Sequence, residues 1–161
     1  MSRPGLVAVL LVLAAAGAGC GYSVGSGAAR LPAGVERVFV PPLENRTVDA
    51  EAGALVAAAL REELARRGAA GGEGSSARIE GVVTRSSSSP LTTQSGTWRL
   101  VFEVQARLTV NGREAAQVKV RREVDYLGEV DAIATEGRRR LAIRRAADEA
   151  AREIVERLET P

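Results

Sequence analysis

An alternation of apolar and polar residues between positions 98 and 126 restricts the fold more than any other feature of the sequence. In the runs 98–110 and 116–126, nearly every even position is apolar, and most odd positions are charged or polar. Because successive side chains of a strand point to opposite faces, each run predicts a long strand with one buried face. Asn111-Gly112 between them is typical of a hairpin turn. The two runs therefore predict one long antiparallel hairpin.

The positions of the apolar residues also predict the length of the hairpin loop. Residues that pair directly across two strands share a face, and a two-residue loop would pair 110 with 113, an even position with an odd one. A three-residue loop from Val110 to Gly112, with Gly112 left-handed, pairs 109 with 113 and keeps the faces matched. The predicted apolar pairs are then 104–118 and 102–120.

Two segments have the periodicity of amphipathic helices. Apolar residues recur at three- and four-residue steps from Ala52 to Leu64, with Asp49 as the expected N-cap and Gly68 as the residue that ends the helix. A longer helix is expected from about Asp131 to Leu158. Its predicted buried stripe consists of Ile143, Ala147, Ala150, Ile154 and Leu158.

Two further short strands complete the expected elements. The segment 37–40 is apolar and is stopped by Pro41-Pro42, and the segment 78–85 is the second strand. Residues 86–97 have no apolar periodicity and predict a surface loop, either simply mobile or used for binding a partner.

The order strand, helix, strand, hairpin, helix predicts an α+β two-layer sandwich, with two helices packed on one face of a four-stranded mixed β-sheet. A right-handed crossover makes the first two strands parallel. The opposite face of the sheet should be polar and available to a partner. It is expected to carry Arg99, Glu103, Arg107, Lys119, Arg121 and Glu123.

The first 19 residues have the composition of a signal peptide. Arg3 supplies a positive charge, and Leu6 to Ala16 form an apolar run of 11 residues, too short for a permanent membrane span. The small residues 17–19 suit a peptidase, and the only cysteine of the chain, Cys20, follows them. We expect cleavage before Cys20 and acylation of its thiol, which anchors a lipoprotein durably. The alternative is an ordinary secretory signal followed by a free thiol.

This interpretation divides the chain into a signal peptide (1–19), a lipidated flexible tether rich in Gly, Ser and Ala (20–34) and a single domain (35–161). Gly21 favours the outer membrane of a Gram-negative cell, on its periplasmic side, because an Asp at this place would favour retention in the inner membrane. About 125 residues are enough for a hydrophobic core of the expected kind.

The composition argues against an enzyme and against a metal protein. The chain has no histidine, so with Cys20 acylated the imidazole and thiolate ligands of a metal and the usual base of a catalytic triad are all lacking. No pair of carboxylates is placed in an apolar pocket that would perturb its pKa. We expect no cofactor. Loss of Arg3 leaves 21 basic against 20 acidic residues, so bulk charge does not indicate nucleic-acid binding.

The densest basic patch lies in the second helix, at residues 138–140 and 144–145, all arginine. Such a patch is either a solvated helix face or a contact for anionic lipid or phosphate. The sequence leaves both interpretations open.

Several short segments, in this order along nearly the whole mature chain, resemble the lipopolysaccharide-assembly lipoprotein family LptE. They are Cys20-Gly21-Tyr22, Leu31-Pro32, Val38-Phe39-Val40-Pro41, Asn45-Arg46-Thr47, the helix ending in Gly68, the long hairpin with Tyr126, and the closing helix segment 153–158. The resemblance implies a two-helix, four-stranded sandwich. It also implies a protein that plugs the lumen of the large β-barrel translocon LptD, assists its assembly and helps deliver lipopolysaccharide to the outer leaflet.

The resemblance also suggests residues that contact lipopolysaccharide. The stretch 117–122 is similar to a family segment that carries a basic residue implicated in this contact, which would give Lys119 the role, with Arg121 beside it. A second basic residue of the family, in the loop before the third strand, has no counterpart here, since Thr92 and Thr93 stand about there.

A different periplasmic lipoprotein is the alternative. The stretch 40–47 also resembles activators of cell-wall synthases and curli-secretion lipoproteins, which begin with a similar strand, turn and helix. Those proteins typically continue with further alternating helices and strands. The single long hairpin and terminal helix of this chain favour the first family.

Overall fold

The computed structural model describes residues 31–92, 96–128 and 130–159, so the predicted signal peptide, Cys20 and most of the tether lie outside the described residues. A 3₁₀ turn at Pro32–Gly34 precedes the other elements. These are β1 (Val38–Phe39), β2 (Glu44–Asn45), α1 (Ala52–Arg66), β3 (Ala77–Pro90), β4 (Thr97–Val110), β5 (Arg113–Leu127) and α2 (Ala132–Glu159).

The sheet is mixed, as predicted, and has the order β1-β3-β4-β5. The described strands number five instead of four, because β2 pairs with β3 as well. Both short strands run parallel to β3, with Val38 beside Ala77 and Glu44 beside Val82. They are two parts of one edge that Pro41-Pro42 interrupts, since a proline has no N–H to donate to the ladder.

The prediction of a loop over 86–97 is wrong for its first half. β3 continues to Pro90, and Ser86, Ser88 and Pro90 pair with Phe102, Leu100 and Trp98 of β4. The serines have no apolar alternation to reveal a strand, but the ladder bonds use only the backbone, which pairs whatever the side chains are. A register shift between Val83 and Arg85 lies within this strand.

The prediction of one long hairpin is confirmed, but its predicted loop and pairs are wrong. Val110 pairs with Arg113, so the loop is the two-residue Asn111-Gly112, with φ of 52° and 78°. Two left-handed residues give a turn whose twist suits a hairpin. A register shift after Leu108, which pairs with Ala116, restores the matched faces. The apolar pairs are therefore Val104 with Val120 and Ala106 with Val118.

The helix α1 ends as predicted and begins differently. Gly68 has a φ of 70°, and the N–H groups of Gly68 and Ala69 donate to the carbonyls of Ala65 and Leu64, which is a Schellman motif. The N-cap is Glu51 instead of Asp49, and the backbone carbonyl of Asp49 accepts from the N–H of Ala52. The Asp49 carboxylate is bound elsewhere, to Arg139 of α2.

Both helices pack on the same face of the sheet, and α2 runs beside β5 and α1. The predicted stripe of α2, from Ile143 to Leu158, is buried throughout. With the even positions of β4 it forms one hydrophobic cluster, whose largest fully buried side chains include Phe102, Leu60, Leu64, Ile79, Leu100, Leu108, Ile154 and Leu158. Neither helix of the described chain has the length and apolar character needed to cross a membrane.

Candidate functional site: the charged open face of the sheet

The face of the sheet away from the helices carries most of the charge of β3, β4 and β5. We call it the open face. Its central members are opposed in register: Arg99 with Asp125, Glu103 with Arg121, and Gln105 with Lys119. Because directly opposed residues have Cβ atoms about 5 Å apart, the register brings opposite charges into contact.

Glu103 is the centre of this arrangement. Its side chain is 14% exposed, and its carboxylate lies 3.4 Å from Nη1 of Arg121, 3.6 Å from Nζ of Lys119 and 3.7 Å from Nη1 of Arg85. One carboxylate thus meets three cations, so the cluster keeps an excess of positive charge. The structure brings the two predicted lipopolysaccharide-contacting residues, Lys119 and Arg121, together here.

Lys119 and Arg121 are accessible although they are paired. Their side chains are 62% and 52% exposed, and Arg121 also donates to Glu123 at 2.7 Å. The pair of Arg121 with Glu123 is exposed at both ends, at 52% and 40%, and such pairs are worth about 0–1 kcal/mol, because water screens the charges. Arg121 can therefore exchange Glu123 for a phosphate or a carboxylate at little cost.

The two ends of the open face are held by tighter pairs. Arg99 donates twice to Asp125, at 2.8 and 3.0 Å, and this bond holds the pKa of the Asp125 carboxyl below its usual value. Arg107 donates to Glu80 at 2.9 and 3.2 Å, which likewise lowers the pKa of Glu80. Both carboxylates are ionised at neutral pH, so the face shows both signs of charge along its whole length.

A polar recess of about 230 Å³ opens beside the Glu80 pair, under the short strand β2. Glu44 and Arg46 form its rim and are bonded to each other at 2.8 Å, a bond that lowers the pKa of Glu44. Its remaining lining includes Gln105 and Gln117. A recess of this chemistry suits a polar side chain of a partner.

Two parts of the site were missed by sequence reasoning. Arg85 joins Glu103 only because of the register shift after Val83, which no local pattern indicates. The second is a set of exposed apolar residues between the end of β5 and the first third of α2, namely Leu127, Val130, Ile133 and Leu141, of which Leu127 and Leu141 line a common groove. A signal for it was present, since Ile133 and Leu141 lie outside the regular stripe of the helix.

Three arginines of the predicted basic patch on α2 are held in separate ion pairs. Arg139 is bound to Asp49, Arg140 to Glu136 at 3.2 Å and Arg145 to Glu149 at 2.9 Å. Contact of this patch with anionic lipid or phosphate stays a prediction. The described residues contain no group of three or more acidic, His or Cys side chains that could hold a metal ion.

Two helices on one face of a mixed sheet, with an open face of ion pairs on the other, define an α+β two-layer sandwich. The family model described as LptE, lipopolysaccharide-assembly, matches residues 35–158, and the chain belongs to this family. It is thus a lipopolysaccharide-assembly lipoprotein and not an enzyme, as the sequence predicts.

Solved structures share the fold at low sequence identity. A protein from Caulobacter crescentus is 24% identical, with a TM-score of 0.57, and the match covers 74% of this chain and 89% of that one. The rare lipoprotein B from Shewanella oneidensis is 19% identical, with a TM-score of 0.54 and coverages of 74% and 92%. A lipoprotein B from Nitrosomonas europaea is 18% identical, with a TM-score of 0.52 and coverages of 86% and 90%. No curated protein matches the chain in sequence.

Proposed function

We propose that the mature protein is anchored through Cys20 to the periplasmic side of the outer membrane, plugs and helps assemble the LptD β-barrel, and aids delivery of lipopolysaccharide to the outer leaflet. Membership of the lipopolysaccharide-assembly family supports this role. The observation that carries it is the open face, in which both signs of charge are accessible around Glu103.

A water-filled barrel lumen is lined by polar and charged groups of both signs, so a plug needs a mixed polar surface more than an apolar one. The open face has this character, and its ion pairs are exposed enough to be exchanged for pairs with a barrel wall. Electrostatic complementarity of this kind fixes the register of a complex more than its affinity.

The same cluster suits the phosphates of lipopolysaccharide. Arg121 can bind a phosphate through two N–H groups, and Lys119 adds a mobile point charge beside it. Arg85 stays with Glu103 when the other two cations turn to a ligand, so the carboxylate does not lose every partner. Lys119 and Arg121 are therefore the proposed lipopolysaccharide contacts.

Affinity purification of the tagged full chain from detergent-solubilised outer membranes tests the plug. We expect a large β-barrel protein in stoichiometric amount. A cell-wall synthase in its place, or no barrel protein, would contradict the proposal and favour the alternative class of periplasmic lipoprotein. A Cys20→Ser variant should leave the membrane fraction, which tests the anchor separately.

The lipid contact is tested with the double variant Lys119→Glu/Arg121→Glu. We expect it to retain the barrel protein but to lose most of the lipopolysaccharide that co-purifies with the wild type. The double variant Arg113→Glu/Arg152→Glu is the matched control, because it makes the same change in net charge at two exposed arginines outside the Glu103 cluster. Equal loss in both variants would assign the effect to net charge instead of to this cluster.

A further inference from the structure

β5 forms one edge of the sheet, and its two halves differ. In the half that ends at Arg122, which we call the lower half, α2 is bonded to the strand. Arg157 donates to the backbone carbonyl of Lys119 at 3.1 Å, and Arg122 of β5 pairs with Glu153 of α2. Side chains of the helix thus occupy this part of the edge.

The upper half of the same edge, from Glu123 to Leu127, is open. A groove of about 460 Å³ lies between residues 124–127 of β5 and Arg138, Leu141, Ala142 and Arg145 of α2. It continues into a second opening of about 280 Å³ beside Glu123 and Glu149, and the two share Val124, Asp125 and Arg145. Together they form one channel along β5, which we call the edge groove.

The chemistry of the edge groove narrows the kind of occupant. Leu127 and Leu141, which line it, are 53% and 65% exposed, so an occupant must present apolar side chains. Among the described residues, β5 also pairs with β4 alone, which leaves one line of its backbone N–H and C=O groups directed away from the sheet. An acyl chain or a helix can cover the leucines but cannot bond that backbone. An extended polypeptide does both.

The distribution of charge along the edge groove predicts the orientation in which a segment would bind there. Arg138 lines only the first opening, near Leu127, and Glu123 and Glu149 line only the second, whereas Asp125 and Arg145 line both and Arg99 also lines the second. The pair Arg145–Glu149 is exposed, since the Arg145 side chain is 71% accessible, and such pairs exchange partners readily. An acidic residue suits the first end of the segment and a basic residue the second.

We infer that the upper edge of β5 accepts an extended segment of a partner polypeptide as a sixth strand, with apolar residues at alternate positions toward α2, an acidic residue near Arg138 and a basic residue near Glu149. Five residues of β5, Glu123 to Leu127, offer about 17 Å of edge to such a segment. The inference rests on the geometry of this edge and not on the identity of a barrel partner.

Photo-crosslinking in cells that produce the full lipidated chain tests it. Benzoylphenylalanine is placed at Glu123, Asp125 or Leu127 in turn, because these alternate residues lie on one face of β5. A paired strand predicts adducts to one segment of one partner polypeptide, with the modified partner residue moving by two positions for each two positions along β5. The signature is this regular shift, not the capture of a protein as such.

Leu141→Arg places an unpaired charge in the edge groove and should abolish the adducts. Val48→Arg makes the same change at another exposed apolar residue, which is 90% accessible and does not line the groove, and should leave them unchanged. Both variants should keep the melting temperature of the wild type, since neither residue is buried.

Each other result overturns the inference. Adducts to lipid would make the groove an acyl-chain site, and adducts to a second copy of this chain would make it a homodimer edge. Adducts scattered over several proteins or without the two-residue shift, or no adduct at all, would mean that no strand pairs here. Failure to purify a barrel protein, in contrast, would contradict the proposed function and leave a regular pattern of adducts standing.

Discussion

The carboxylate of Asp49 lies 2.6 Å from the guanidinium of Arg139, ninety residues further along the chain. The two side chains are 12% and 20% exposed, so the bond is largely shielded from water. Burial alone would lower the pKa of Arg139, but the bond to Asp49 outweighs it, and the pKa is raised. The pair joins the first third of α2, most of which is exposed, to the turn that precedes α1.

Removal of this pair should loosen the start of α2. We expect Asp49→Ala to lower the free energy of unfolding by about 1.5–3 kcal/mol, the usual value of a shielded hydrogen bond to a charged group. Urea denaturation of the single variants Asp49→Ala and Arg139→Ala and of the double variant measures the coupling between them. Glu136→Ala is the control, because Glu136 is 47% exposed. Additive effects of Asp49→Ala and Arg139→Ala would show that the pair is not coupled.

Glu63 is a buried carboxylate that connects the ends of both helices. It accepts from Arg67 at 2.6 Å and from Arg66, and Arg67 in turn donates to Glu159 of α2 at 2.5 Å. The Glu63 side chain is only 7% exposed. Because Glu63→Ala leaves Arg67 partly buried without its main partner, we expect a loss of about 3 kcal/mol in the free energy of unfolding.

The neighbouring Glu62 provides the matched control for this change. Glu62 also pairs with Arg66, at 2.9 Å, but its side chain is 72% exposed. Glu62→Ala should therefore cost less than about 1 kcal/mol. Equal losses for the two variants in thermal or urea unfolding would mean that burial does not set the strength of the Glu63 bonds.

The bonds of Glu63 also predict how the free energy of unfolding depends on pH. Burial of Glu63 acts to raise its pKa, but the bonds from Arg66 and Arg67 outweigh burial and hold the pKa below its usual value. The stabilisation is therefore fully present above the unfolded pKa of about 4.3 and is lost as the pH falls through the lower folded pKa. Urea midpoints between pH 7 and pH 3 should fall less steeply below pH 4 for Glu63→Gln than for the wild type. Parallel curves would contradict the assignment.

Substitution of two helical glycines by alanine should change the stability of the protein in opposite directions. A Cβ at Gly53 of α1 would lie 2.5 Å from the backbone oxygen of Leu43, so Gly53→Ala must displace backbone and should destabilise the protein by about 1–3 kcal/mol. A Cβ at Gly137 of α2 would meet nothing within 4 Å. Gly137→Ala should therefore stabilise the protein by about 0.5–1 kcal/mol, since alanine loses less entropy in a helix. The two melting temperatures, compared with that of the wild type, test the pair.

The sequence predicted those elements whose side chains alternate or repeat. The hairpin, both helices, the helix end at Gly68 and the layer arrangement follow from such patterns, because burial of one face dictates them. The continuation of β3 through Ser86 to Pro90 was missed, since only backbone pairing with β4 holds it there. The loop length was wrong for a related reason. A two-residue turn combined with a bulge gives the same matched faces as a three-residue loop, and the pattern of apolar residues does not distinguish them.

The candidate site was predictable to the extent that it depends on strand faces. The alternation placed Glu103, Lys119 and Arg121 on one polar face, and the register then fixed which of them meet. The part played by Arg85, the bond from Arg139 to Asp49 and the edge groove depend on how distant segments pack. Contacts between residues that are remote in the sequence produce no local periodicity, so the sequence pattern does not predict them.

The two edges of the sheet differ in whether they can pair with a strand of a second, identical molecule. Pro41-Pro42 divides the edge formed by β1 and β2 into two-residue lengths, so a neighbouring chain finds no continuous ladder there. Open-ended fibre growth needs two edges that accept strands on each molecule. A protein with the long edge strand β5 is therefore protected from polymerising by the two prolines on the far side of its sheet.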